Sequence, residues 1–234
     1  MKRPEFFCNK IYHIYNRGVD KRNIFLDDID RFRFIHDLFE FNDINPVFNA
    51  GYNFRNKSIE VGLQYIDNKN KPRKLLVEIL AFCLMPNHFH LLLRQRKENG
   101  ITEFMRKLGT GYTNYFNQKY TRSGVLFQGK FKALLIEKET HFIYLPHYIH
   151  TNPLDLTDAK WRQDGISGLN KILKFLEEYR WSSLPDYLNK KNFPSITQRN
   201  FLLEIFGGEK QYKKDLTDII KNGNFEEIKD LVFE

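Results

Sequence analysis

Residues 75–93 constrain the fold most. Leu75–Leu84 is a near-continuous apolar run, Pro86-Asn87 is a turn signal, and His88–Arg94 resumes with Phe89, Leu91 and Leu93 apolar. Two apolar runs this close, joined by a tight connection, read as central antiparallel strands. Side chains alternate faces along a strand, so His88, His90 and Leu92 share one face and Phe89 points to the other. Two imidazoles on one sheet face are a ready pair of metal ligands. A bare H-x-H fits two incidental histidines on a half-exposed face equally well, so the rest of the chain must decide.

The flanking segments supply a sheet for those strands. Lys10–Gly18, rich in β-branched and aromatic residues, reads as a first strand. After Asp27 and Asp28, both suited to cap a helix, Ile29, Phe32, Ile35, Leu38 and Phe39 recur at three and four residues and predict an amphipathic helix. A second helix is expected over 101–120, weakened in its middle by Gly109 and Gly111. A glycine-punctuated basic and aromatic loop follows over 122–132, then a last strand over 131–137. A helix from Thr140 to Asn152 is expected despite Pro146, which should kink it or mark the first turn of a shorter one. The order strand, helix, strand, strand, helix, strand, helix predicts an α+β fold with one antiparallel sheet and helices packed on one face, the histidine-bearing face being left open. Residues 1–155 would form this domain, with a polar, irregular insert over 42–73. Residues 156–234 would form a helical C-terminal extension, with short helices near 169–179, 201–206, 212–220 and 225–232.

Composition narrows the partners. Thirty-seven Lys and Arg against 29 Asp and Glu give a formal charge of +8, the electrostatic footprint of a polyanion-binding or merely basic protein. Two cysteines, Cys8 and Cys83, are too few for a disulfide framework or a cysteine zinc site. The apolar stretch 75–93 is broken by Glu78, Pro86, Asn87 and the histidines, so no membrane span is expected, and the start carries no apolar signal core. A cytoplasmic protein, nucleoid-associated when bound to DNA, is the expectation.

A third ligand and a reacting group are sought on the last core helix. Tyr148 and Asn152 are four residues apart, hence one turn apart on one helical face, and an amide oxygen can ligate a cation. Among Tyr112, Tyr115, Tyr120, Tyr144 and Tyr148, only Tyr148 has an oxygen-ligand side chain four residues on. Taken alone, such a tyrosine is more often a core or surface aromatic.

His88-Phe89-His90, the loop Ser123–Lys132, and Tyr148-Ile-His-Thr-Asn-Pro153, with Tyr15–Gly18 before them, resemble the single-tyrosine HUH transposases, in particular the REP-associated tyrosine transposases. The resemblance spans roughly residues 10–153. It implies a ferredoxin-like sheet, His88, His90 and Asn152 as ligands of Mg²⁺ or Mn²⁺, and Tyr148 as the nucleophile that cuts single-stranded DNA near a hairpin. The implied product is a 5′-phosphotyrosine with a free 3′-hydroxyl, and the covalent link allows strand transfer without ATP. Two imidazoles and one amide oxygen suit Mn²⁺ better than Mg²⁺, which prefers oxygen ligands. Single-tyrosine relatives work as homodimers or, in the REP-associated branch, as monomers.

For DNA contact, Arg122, Lys130 and Lys132 alternate with Phe127 and Phe131, a charge-plus-stacking mixture used on single strands. Gln128 in the same loop and Arg17 at the end of the first strand join them. The opposing reading makes the two Phe core and the lysines solvated. Two other functions stay open: a DNA-binding regulator that keeps the fold without cutting, and a phosphodiesterase that uses water.

Overall fold

The computed structural model describes residues 3–45, 73–157 and 168–222. Most of the insert expected over 42–73, and the helix expected at 225–232, lie outside them. Four strands, β1 (Ile11–Arg17), β2 (Val77–Met85), β3 (His88–Gln95) and β4 (Lys132–Leu135), form one sheet in the order β2-β3-β1-β4 with every pairing antiparallel. Helix α1 (Asp28–Glu40) joins β1 to β2, and α2 (Gly100–Lys119) joins β3 to β4. This is the ferredoxin-like order that the apolar pattern predicts. Helix α3 (Glu139–Thr151) follows β4, and α4 (Leu169–Glu178), α5 (Leu184–Tyr187), α6 (Asn200–Ile205) and α7 (Glu209–Asn222) form the C-terminal part.

The two crossover helices share one face of the sheet. Tyr12 and Ile14 of β1, Phe89, Leu91 and Leu93 of β3, and Phe34, Leu38, Phe104 and Tyr112 of the helices form one buried cluster. Asp27 caps α1 in a reciprocal box with Asp30, and buried Asp30 also accepts from Tyr115, Lys119 and Tyr120, tying α1 to the end of α2. Gly111 allows the close approach of these helices: a Cβ there would lie 2.5 Å from the Phe41 ring.

The face expected to stay open is covered. Leu145, Tyr148 and Ile149 of α3, with Leu184, Leu202, Tyr212 and Leu216 of the C-terminal helices, pack on Ala81, Cys83, Met85 and Leu92. Helix α3 runs unbroken through Pro146, which is buried. Packing on the sheet thus overrides an intrinsic cost of about 3 kcal/mol. His150 fixes α3 to its neighbours, with Nδ1 2.7 Å from the Tyr212 hydroxyl and Nε2 2.7 Å from Ser183 Oγ. His147 stacks on the Tyr212 ring at 4.4 Å.

The outer edge of β2 is closed residue by residue. The Asn42 side-chain amide bonds the N–H and C=O of Val77, at 3.0 and 2.9 Å. Gln198 does the same for Ile79 through its side-chain oxygen and its own N–H. Between Ile79 and Ala81 the ladder slips, and the extra residue, Leu80, gives its carbonyl to the Tyr187 hydroxyl. Ser183 bonds both backbone groups of Phe82, and Leu84 donates to Trp181 and accepts from Tyr179.

Two stability experiments follow from this packing. Asn42→Ala strands a buried N–H and a buried C=O at once, for an expected loss of about 2 to 4 kcal/mol in urea denaturation, with Asn42→Asp losing the donor half only. Burial also holds His147 down to about 3 and His150 well below its usual 6.5, the latter helped by neighbouring His147. The unfolded chain binds protons on these rings near pH 6.5 and the folded chain does not, so stability is full above that pH and falls as pH drops below it. The limiting slope is about 1.4 kcal/mol per pH unit for each ring. The urea midpoint is therefore expected to fall between pH 7 and pH 5, and less steeply in His147→Phe.

Candidate active site

The β1–β3 ladder builds the site. His90 lies opposite Tyr15 and Cys83, His88 opposite Arg17 and Met85, and Leu92 opposite His13 and Ala81, so all these side chains share the face that α3 covers. The His88 and His90 rings are 5.0 Å apart and nearly perpendicular. The Tyr148 ring stands edge-on to His90 at 5.8 Å and to His13 at 6.4 Å. Asn152, one helical turn after Tyr148, is buried and bonds the Tyr148 carbonyl through its side-chain N–H at 2.8 Å. The structure therefore brings His88, His90 and the Tyr148–Asn152 helix to one face.

Hydrogen bonds fix how the imidazoles are presented. Asn87 donates through its amide nitrogen to the Lys21 carbonyl, so its oxygen faces His88 Nδ1, at 2.6 Å. An oxygen that only accepts requires the proton on Nδ1, which leaves the lone pair on Nε2. His90 Nδ1 lies 2.9 Å from His13 Nε2, and a proton on that Nδ1 gives His90 the same tautomer. A second hydrogen bond that sets tautomer and ring angle is the usual support of a metal-binding histidine. Burial, partly offset by the Asp155 carboxylate and reinforced by Arg17, pulls His88 from 6.5 to about 4. The ring is thus neutral at pH 7, as a ligand must be.

The donor set fits a divalent cation. Among the described residues His88 Nε2 and Asn152 Oδ1 are buried without a hydrogen-bond partner, although burying such atoms unpaired is costly. Among the described residues no group of three His, Cys, Asp or Glu side chains is placed to hold a metal ion.

Neither His13 nor Tyr15 was expected at the site from the sequence, although Tyr15 opens the stretch Tyr15–Gly18. The Tyr15 ring stacks 5.9 Å from His90 and 5.2 Å from His13. Their own spacing, two residues apart on a strand, was the available signal, but only the cross-strand register sets them beside His90. His147 and His150 turn to the C-terminal helices instead.

The DNA-contact candidates scatter. Lys132 pairs with Tyr15 and stands on the histidine face, where Arg17 bonds Gln128 side chain to side chain. Arg122 folds back onto Asn117 and the Val125 carbonyl, stapling its own loop. Phe127 is buried on the opposite face, edge-on to Phe89 at 5.9 Å, and Lys130 is exposed. No helix among the described residues is long and apolar enough to cross a membrane.

Known proteins resemble this chain in fold and in part of its sequence. The fold is similar to that of a REP-associated tyrosine transposase bound to a REP hairpin, at 12% identity and a TM-score of 0.52, over 83% of this chain and 88% of that one. A second structure, described as that of a transposase from Deinococcus radiodurans R1, aligns at 16% identity and a TM-score of 0.34, over 64% of this chain and 95% of the other. No curated protein matches the sequence. The profile of the family described as "Transposase IS200 like" matches residues 52–152, a segment that holds His88, His90, Tyr148 and Asn152. Over that segment the sequence is similar to the IS200-like, single-tyrosine (Y1) transposase family.

Proposed function

We propose that the chain is a metal-dependent nickase and strand transferase of single-stranded DNA, with Tyr148 as its nucleophile. The observation that supports this reading is the Tyr148 ring standing edge-on to His90, itself 5.0 Å from His88, with each imidazole hydrogen-bonded through Nδ1 and the buried Asn152 one turn further along the chain. His88, His90 and Asn152 would hold Mg²⁺ or Mn²⁺, and bound there the cation would offset charge growing on the phosphate oxygens. The Tyr148 oxygen bonds phosphorus as the bond to the 3′ oxygen breaks. In the overall balance the phenolic proton ends on the freed 3′-hydroxyl, and the 5′ phosphate stays esterified to tyrosine. That ester conserves the bond energy, so a second 3′-hydroxyl can reverse the step and join a new end.

Arg17 and Lys132, on the same face, supply positive charge for the strand's phosphates. The hairpin bound by the REP-associated relative makes a hairpin flanked by single strand the first substrate to try. Tyr148 and Asn152 have no exposed surface, so a scissile phosphate meets them only after the side chains packed over them move aside. That burial favours one second reading, a DNA-binding regulator of the same fold that does not cut.

Two experiments separate these readings. Incubated with hairpin-flanked single-stranded DNA and Mn²⁺, the wild type is expected to give a denaturation-resistant protein–DNA adduct that Tyr148→Phe abolishes and Tyr15→Phe retains. DNA binding without any adduct supports the regulator, and an adduct undiminished in Tyr148→Phe overturns the nucleophile. In titration calorimetry with Mn²⁺, Asn87→Ala and His13→Phe are each expected to weaken binding about 10- to 100-fold by releasing a ligand ring, and unchanged affinity would remove them from that role.

A further inference from the structure

The hairpin that opens β3 is held from outside by the segment 18–25. Gly18 N–H donates to the Asn87 carbonyl at 2.8 Å, and the Ile24 and Phe25 N–H groups donate to the Pro86 carbonyl at 2.8 and 3.1 Å. The Asn87 side chain returns one bond, from its amide nitrogen to the Lys21 carbonyl at 3.2 Å. Val19 N–H, donating to the Leu126 carbonyl at 2.9 Å, ties the same segment to the loop 122–131. Within it the chain reverses over Val19–Lys21, where Lys21 N–H meets the Gly18 carbonyl and Arg22 N–H the Val19 carbonyl, both at 3.1 Å. That reversal leaves no room at Gly18, where a Cβ would lie 2.2 Å from the Arg22 carbonyl oxygen.

The backbone of this turn is strained. Asp20 and Lys21 both sit at φ 56°, the left-handed region that L side chains avoid. Six non-glycine residues with positive φ occur among the described residues; three of them are Asn, which tolerates it, and only Asp20 and Lys21 are adjacent. Strain of this kind persists only where the surroundings over-determine it, and it gathers at functional sites. Both residues are exposed, so burial of their side chains does not account for it. What the turn delivers is one carbonyl. The Lys21 oxygen occupies the Asn87 amide nitrogen and thereby turns the Asn87 oxygen to His88 Nδ1, 2.6 Å away. We propose that the strained turn Gly18–Arg22 is the positioning element of His88: through the Lys21 carbonyl and Asn87 it fixes the proton on Nδ1 and presents Nε2 to the cation site. Lys21 acts here through its backbone alone. The inference rests on His88 being a ligand, as in the proposed function, and on neither Tyr148 nor cleavage.

Substitutions at Lys21 separate backbone from charge. Lys21→Gly removes the charge and suits positive φ, Lys21→Gln removes the charge and keeps an unbranched side chain, and Lys21→Val makes positive φ unfavourable. In ¹⁵N NMR of the metal-free protein at pH 7, wild type, Lys21→Gly and Lys21→Gln are expected to show His88 protonated on Nδ1, and Lys21→Val a mixture with the Nε2-protonated form. Mn²⁺ affinity in titration calorimetry should follow the same order, falling about 10- to 100-fold in Lys21→Val and staying within about twofold of wild type in the other two. Gly18→Ala, which forces the turn open from its other end, is expected to behave as Lys21→Val, with thermal unfolding used to confirm that both are folded. An unchanged tautomer in folded Lys21→Val and Gly18→Ala would overturn the proposal, as would an equal loss of affinity in all three Lys21 variants, which assigns the effect to charge. The tautomer is read without metal or DNA, so a chain that binds no Mn²⁺ or forms no Tyr148 adduct defeats the proposed function while the role of this turn is still decided.

Discussion

The pairing of β1 with β3 is the constraint on which the rest depends. Seven residue pairs, from Ile11 with Arg94 to Arg17 with His88, fix which side chains face which layer. A slip of one residue would turn His13 and Tyr15 into the layer of α1 and α2 and put Tyr12 and Ile14 beside the imidazoles. The two clusters hold the register from both sides, because Tyr12 and Ile14 are fully buried under the helices and Leu92 is fully buried on the opposite face. The site therefore inherits its geometry from packing that has no chemical role of its own.

The C-terminal helices take part in this. Ser183 bonds both backbone groups of Phe82 on β2, and its hydroxyl meets His150 on α3, which in turn meets Tyr212 on α7. Sheet edge, α3 and the last described helix are thus joined through one buried polar chain, whose central member, His150, lies two residues from Tyr148 and two from Asn152. Such a chain is stabilising only when every partner is present. It gives α3 a defined rotation, which is what sets the Tyr148 ring against His90 and keeps Asn152 turned inward.

Much of this was legible in the sequence where the signal is local. The run 75–93 gave the hairpin and its histidine face through a period of two, and the spacing of Tyr148 and Asn152 gave one turn of helix. What depends on distant partners was not legible. His13 reaches His90 only through the cross-strand register, and Phe127 is core because Phe89 and Tyr112 surround it. Pro146 read as a kink or a helix start because intrinsic cost is visible along the chain and the burial that outweighs it is not. The covered histidine face was missed for the same reason: the apolar faces of α4 to α7 announce that they need a partner without saying which.

The closure of β2 carries a consequence for assembly. An exposed edge strand offers its free N–H and C=O groups to any second strand, which is a route both to dimers and to aggregation. Here Asn42, Gln198, Tyr187, Ser183, Trp181 and Tyr179 already occupy those groups from Val77 to Leu84. A neighbouring molecule that sought to extend the sheet at β2 would have to displace them and strand several buried amides. Copies of this chain can meet, but continuous sheet across β2 is a form of contact that the fold has already spent on itself.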